Sequence, residues 1–501
     1  MNVMKCVSKR ILMVFLTAAL IAGFSAAWSQ ADAASLAAPS LRYINKTYNS
    51  VTLNWKTVKG AKSYVIYKKG ADGRFARIKV VSSSTLQYKA TKLSKGTSYS
   101  FMARAAKSTD GRYVSPSSNI VTTKTYSPLT YTISPDSLPC DPYMLRYGYY
   151  NSQTRQYYTI RSYMERFEKY GGGILKFEPG TYVITNAIFV PSNVTFDFAD
   201  GVTLVKGTDT GSSLTPSHSM FQLIRPSWGH STAVVGGYNG EKNITFKGSG
   251  TVVIDMKSFN NSNCIEACHN AYLSISGISF KNGDGGHFVE LDANKYTTIT
   301  NCSFSGITGA SMGTREAINL DTPDTVTGGF TASWSNFDKT ADYNVLIDSC
   351  KFSDMGRSVG THNYSGGHPH KYIKITNCTM TDMKSYGIGL MNWQNATVTG
   401  NKITGSSATM STSSKMCAIL AYGINNCTIK NNTFDKYYLG IDIKAYIDND
   451  NDYPAIYNSL TTQNKADLAT NICTDNITVP RVYFRNVLGD SKPIQIILIS
   501  Q

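Results

Sequence analysis

Ile275-Ser276-Gly277-Ile278-Ser279-Phe280 returns as Ile299-Thr300-Asn301-Cys302-Ser303-Phe304, then as Ile347-Asp348-Ser349-Cys350-Lys351-Phe352 and Ile375-Thr376-Asn377-Cys378-Thr379-Met380. Two further copies are Val398-Thr399-Gly400-Asn401-Lys402-Ile403 and Ile429-Lys430-Asn431-Asn432-Thr433-Phe434. Each copy has apolar ends and a small or amide-bearing middle. The final apolar residues stand 24, 48, 28, 23 and 31 residues apart. One unit of roughly 22–24 residues, with loop insertions and a longer excursion near 309–342, accounts for all five steps. A single unit cannot bury its own apolar side chains, so the units must stack as coils. The recurring Asn, Cys and Ser then lie above one another in the turns and form ladders.

Upstream of the coils, Thr159 to Tyr170 carries apolar residues at helical spacing (Ile160, Tyr163, Met164, Phe167) and stops at Gly171-Gly172-Gly173, a helix with a glycine terminus. Ile174 to Phe177, Pro179-Gly180 and Thr181 to Ile184 follow as strand, turn and strand. The phrase resembles the N-terminal cap of pectate-lyase-like right-handed parallel β-helices, whose helix plugs the open end of the core. The resemblance implies a β-helix over 136–501.

Residues 37–126 alternate polar and apolar in short runs such as Val51 to Trp55 and Ser63 to Tyr67, as the strands of a β-sandwich do. They resemble a fibronectin type III domain, with Trp55 as the core Trp and Leu93 to Phe101 as the corner that buries Tyr99. The expected fold class is therefore all-β: an N-terminal fibronectin type III sandwich at 37–126, a linker at 127–135, and a right-handed parallel β-helix with an N-terminal capping helix.

Composition narrows the function classes. Charged residues make up 16% and aromatics 11% of 501 residues, which excludes bulk disorder. The apolar run Ile11 to Phe24, behind Lys5, Lys9 and Arg10, is shorter than the ~20 residues a spanning helix needs. With Ala31-Asp32-Ala33 it reads as a signal peptide over 1–33, and so as a protein exported to the extracellular space or the cell wall. The net charge of +16 is unevenly spread: residues 34–126 carry 17 Lys+Arg against Asp72 and Asp110, whereas 127–501 carry 29 against 30 acids. In an exported protein this basic segment is expected to meet an anionic wall or glycan polymer rather than nucleic acid. Nine cysteines remain beyond Cys6. An odd number cannot pair completely, and three of them occupy one position of the repeat, so buried free thiols are expected.

A second strand of each coil locates a site. Val289-Glu290-Leu291-Asp292 aligns with Ile318-Asn319-Leu320-Asp321 and Val359-Gly360-Thr361-His362, preceded by Ile265 to Cys268 and followed by Ile388 to Met391. Alternation turns Glu290, Asp292, Asn319 and Asp321 outward in two columns. Neighbouring coils are ~4.8 Å apart and i, i+2 positions ~6.6–6.8 Å, near the carboxyl spacings of retaining (~5–5.5 Å) and inverting (~6.5–9.5 Å) glycosidases. Asp321, Asp292, Asp324 and His362 are the expected catalytic residues. Glu290, Arg315, Asn319, Asp342 and His370 are expected to bind substrate, with Trp334, Asn392 and Trp393 supplying rings and an amide for sugars.

Arg315 to Asp321, Gly360-Thr361-His362 and His370 resemble a phrase of secreted bacterial β-helix carbohydrate-active enzymes, the lacto-N-biosidase type of glycoside hydrolase among them. That resemblance implies two nearby Asp residues, the second being Asp324 or Asp342. The polygalacturonase set of Asn-Thr-Asp, Asp-Asp, Gly-His-Gly and Arg-Ile-Lys is absent. A glycoside hydrolase without metal or cofactor is the leading expectation. A polysaccharide lyase using His362 and Arg315, with a calcium ion, and a non-catalytic glycan-binding surface protein are the alternatives.

Overall fold

The computed structural model describes residues 36–309, 312–448, 453–489 and 495–499. The expected signal peptide at 1–33 lies outside them. The chain divides into two compact units, the first built from most of residues 36–123 and the second from Lys124 onward together with Lys46–Ser50 and Thr91–Thr97.

The first unit is a sandwich. A three-stranded sheet holds Arg42–Lys46, Val51–Asn54 and Gln87–Ala90; a four-stranded one holds Phe75–Ser82, Ser63–Lys69, Ser98–Ala106 and Val121–Lys124 in that spatial order. Trp55 packs on Tyr64 at 5.3 Å between ring centroids, and the Tyr64 hydroxyl accepts from the Val58 N–H at 2.8 Å. Tyr99 departs from expectation. It is only half-buried under Lys68, and Phe101, two residues on and on the same face, is buried in its stead.

The second unit is a right-handed parallel β-helix of three sheets with ten, eleven and twelve strands. The expected linker at 127–135 contains its first strand: Leu129–Ile133 pairs in parallel with Gly173–Phe177. The capping helix α1 begins one turn earlier than its apolar pattern, at Arg155, and ends at Gly171 with φ +83°. Tyr158, Ile160, Tyr163, Met164 and Phe167 bury its inner face. Phe167 presses against Gly173, where any Cβ would collide with its ring.

The repeat phrase sits on the corner between the twelve- and ten-stranded sheets. Its third residue turns the chain through the left-handed region in all six copies: Gly277, Asn301, Ser349, Asn377, Gly400 and Asn431 have φ between +53° and +69°. Gly and Asn tolerate that region best. The fourth residue points inward and stacks. Cys302, Cys350 and Cys378 are buried thiols, and Asn401, Asn432 and Asn471 continue as an amide ladder with Nδ2 to Oδ1 distances of 2.9 Å. The sixth residue stacks Phe280 on Phe304 and Phe304 on Phe352 at 4.9 and 5.0 Å. The excursion is shorter than 309–342, because Glu316–Asp321 is a strand of the eleven-stranded sheet; the long loop is 322–342.

Candidate functional site

The eleven-stranded sheet carries the site, in the register read from sequence. Glu266 pairs with Glu290 and Glu290 with Asn319; Cys268 pairs with Asp292 and Asp292 with Asp321. These side chains point away from the barrel core but not into open solvent. The loop 322–342 folds over them, close enough that a Cβ on Gly329 would come within 2.6 Å of the Asp321 carboxyl carbon. What remains open is a pocket of about 310 Å³ lined by Glu266, Glu290, Asn319, Asp321, His287, Arg315 and His362, with Gly285, Gly286 and Gly328 to Thr331 at its rim.

Two carboxyls in the pocket have unequal acidity. Burial, followed by the Asp321 charge, pushes Glu290 well above the usual carboxylate range. Burial also raises Asp321, but His362 and the Thr322 N–H at 2.8 Å partly offset it and leave it at about 6. Asp321 Oδ2 is buried without a hydrogen-bond partner. Asn319 Nδ2 donates to Glu290 Oε1 at 2.9 Å. His287 Nδ1 is 2.6 Å from the Glu316 carbonyl oxygen, which can only accept, so the hydrogen is on Nδ1. Its Nε2 lone pair then faces Glu290 Oε2 at 3.5 Å. Burial lowers His287 to about 3, so the ring is neutral.

Beside this pair runs an ion network. Burial alone would raise Glu316, but His362 and Arg357, each 3.0 Å from a carboxylate oxygen, hold it down to about 2. Arg315 Nη1 lies 3.2 Å from His362 Nε2. His287, Glu316 and His362 have metal-ligand atoms within 4.8 Å of one another. The Arg357 guanidinium pairs with Glu316 and the Arg315 guanidinium lies beside His362, so the trio is part of an ion-pair network.

The other expected residues fall elsewhere. His362 leaves the Asp292/Asp321 column: the strand ends at Gly360, Thr361 turns to donate to the Leu320 carbonyl oxygen, and His362 bonds Glu316. Asp292 is fully buried, with neither carboxyl oxygen hydrogen-bonded, and does not line the pocket. Asp324 anchors the loop by accepting from Ser365, Tyr453 and the Val326 N–H. Asp342 accepts from the Asn294 N–H and meets His370 Nδ1 at 3.2 Å, burying both in a turn. Trp334 is core, packed on Phe330 at 4.9 Å. Trp393 is core too, its Nε1 donating to Thr361 Oγ1. Asn392 holds a turn at φ +57° and donates to the Ser365 carbonyl oxygen.

His287, Glu316 and Glu266 were not among the expected site residues. Strict alternation backward from Val289 and Ile318 turns His287 and Glu316 inward. The structure does the reverse, because several coils place two consecutive residues in the core at this corner: Cys264 with Ile265, Phe288 with Val289, Ala317 with Ile318, Ala418 with Ile419. The parity slips by one and brings His287 and Glu316 to the site. Glu266 alternates normally, and its pairing with Glu290 was legible in the alignment.

Residues 336–486 match the family described as right handed beta helix region. The chain is 22% identical over 253 residues to the plasmin and fibronectin-binding protein A of Streptococcus pneumoniae, covering 46% of this chain and 34% of that protein. It thus spans about a third of the length of that curated relative. Among solved structures, the S. pneumoniae surface protein and adhesin PfbA is similar with a TM-score of 0.46 and 15% identity, over 71% of this chain and 89% of that one. A Yersinia enterocolitica family 28 exopolygalacturonase is similar with a TM-score of 0.30 and 13% identity, over 85% and 99%. The family match carries the fold, a right-handed β-helix.

Proposed function

We propose that the protein is an exported glycoside hydrolase that cleaves its substrate over the eleven-stranded sheet, with Glu290 as proton donor and Asp321 as base. One observation carries this reading: two carboxyls of unequal acidity, on neighbouring coils, line the same concave pocket. Glu290, whose burial favours its protonated form, gives its proton to the glycosidic oxygen as the bond to the anomeric carbon breaks. Asp321, ionised above about pH 6, takes a proton from the water that attacks that carbon. Glu290 and Asp321 are diagonal neighbours on adjacent coils, Asp321 standing two residues beyond the Asn319 that pairs with Glu290, and an acid working with a base that activates water inverts the anomeric centre. Asn319 and His287 orient the Glu290 carboxyl. The resemblance of Arg315 to Asp321 to lacto-N-biosidase-type hydrolases supports hydrolysis over elimination, with Glu290 in place of a second Asp.

A glycan panel digested by the protein and read by product mass and anomeric configuration tests this. The expected results are inverted reducing ends, an acid limb of the rate profile near pH 6, and loss of turnover in both Asp321→Asn and Glu290→Gln. Full activity in either variant would refute the assignment. A second reading is favoured by the likeness to a plasmin- and fibronectin-binding protein: the protein displays the β-helix as a binding surface. Tight capture of a glycan or of either host protein, with no product after long incubation, would establish that reading instead.

A further inference from the structure

The outward columns of the site sheet change chemistry along the stack. The Glu290 column continues through Asn319, Gly360, Gly389 and Leu420 to Asp442. The strand position two residues on passes from Met391 to Tyr422, Lys444 and Arg485. Acids thus crowd the early coils, two glycines leave the floor bare, and cations gather on the later ones. Tyr386 covers Gly389, where a Cβ would come within 2.6 Å of its ring, and the Arg357 guanidinium stacks on Tyr386 at 4.1 Å.

Beyond Tyr386 lies a second cavity of about 160 Å³, lined by Lys415, Leu420, Asp442 and Lys444 among others. Its floor at Leu420 and Asp442 is three and four coils from Asn319, about 14–19 Å at the coil spacing. Lys415 is exposed. Asp442 meets Lys444 at 3.1 Å and Arg485 at 3.6 Å, and the cavity lining itself carries Lys415 and Lys444 against the one carboxylate of Asp442. A cavity walled by a ring and lined by two lysines against one carboxylate suits a sugar bearing a negative group.

We propose that this cavity is a distal subsite that binds an anionic substituent, a carboxylate or a sulfate, on a glycan chain reaching toward the C-terminal coils from the cleavage pocket. The inference rests on the hydrolase reading for the direction of the chain, but its binding step is independent of turnover. Lys444 and Lys415 hold the charge, and Tyr386, held between Gly389 and the Arg357 guanidinium, forms the wall between the two cavities.

The test measures binding in the full chain carrying Asp321→Asn, so that no probe is consumed. The probes are a uronate hexasaccharide, its carboxyl-reduced counterpart, and a sulfated neutral hexasaccharide. Adding Lys415→Gln and Lys444→Gln is expected to weaken the charged probe about tenfold while leaving the carboxyl-reduced probe unchanged. Whichever charged probe responds identifies the substituent. Equal affinity for charged and reduced probes, or a charged-probe affinity that the two substitutions do not move, would overturn the subsite. If Asp321-intact protein cleaves nothing but the charge-dependent loss is seen, the hydrolase reading fails and the subsite stands. A melting temperature within a few degrees of the parent's confirms that the substitutions have not unfolded the sheet.

Discussion

Glu316 and Asp321 are both fully buried acids on one strand, yet they respond oppositely to pH because their partners differ. Asp321 is raised to about 6, so its ionised form is disfavoured in the fold. Its stabilising contribution is complete below the unfolded pKa near 3.8 and is lost as pH rises through about 6. Asp321→Asn cannot ionise, so it should melt higher than the parent above pH 7, by the equivalent of roughly 2–3 kcal/mol, with the gap closing toward pH 4. A gap independent of pH would show that the carboxyl is not strained in this way. Glu316 is held down to about 2, so it stabilises above its unfolded pKa near 4.5 and that contribution fades as pH falls toward 2. Glu316→Gln leaves Arg357 and His362 facing a neutral amide and should lose about 3–5 kcal/mol at neutral pH, read by chemical denaturation. The pair of outcomes separates a group held for chemistry from one held for structure.

Within the elements, the two inward ladders at the repeat corner do the same geometric job with different chemistry. Asn432 donates to Asn471 Oδ1 and to the Val398 carbonyl oxygen, and its own oxygen accepts from Asn401. Asn432→Ala orphans several of these groups in a dry core and should cost about 3 kcal/mol or more, because each unsatisfied group costs ~1–3 kcal/mol. Cys350 makes weak thiol contacts with the Ile299 and Asp348 carbonyl oxygens at 3.7 and 3.4 Å and with the Cys302 and Cys378 thiols, so Cys350→Ala should cost about 1–2 kcal/mol, mainly as lost packing. Equal losses in a urea titration would mean that the amide ladder adds nothing beyond volume. These ladders, the capping helix and the register of the site sheet were legible in the sequence, because repetition reveals period and phase even where single residues are ambiguous. The corner where Phe288 and Val289 both enter the core was not, since a period of two carries no sign of a one-residue slip. Nor could alternation tell that Trp334 and Trp393 are core. Trp334 is part of the 322–342 loop and packs there with Phe330, and Trp393 lies in the core of the coils, so neither position belongs to the alternating strand.

Across the whole molecule, charge is divided unevenly between the two units. In the first unit Asp110 pairs with Arg112 at 2.7 Å and Asp72 accepts from the Arg74 N–H at 3.1 Å, so both acids of residues 34–126 are engaged with neighbouring basic residues while 17 Lys+Arg share that segment. Self-repulsion on this scale destabilises a small sandwich, and an anionic polymer would relieve it. The full chain should therefore bind heparin or wall polymer at low ionic strength and release it by about 0.5 M salt, where the screening length falls to several ångströms. Lys69, Arg74 and Lys79 are exposed on or beside the edge strand Phe75–Ser82. Replacing all three with Glu should lower the eluting salt concentration markedly. The melting temperature should rise or stay level, because the substitutions remove repulsion and touch no core side chain. Lys415→Gln with Lys444→Gln, which lies on the β-helix, should change the elution far less. Elution unmoved by the three Glu substitutions would mean that the basic segment serves solubility alone.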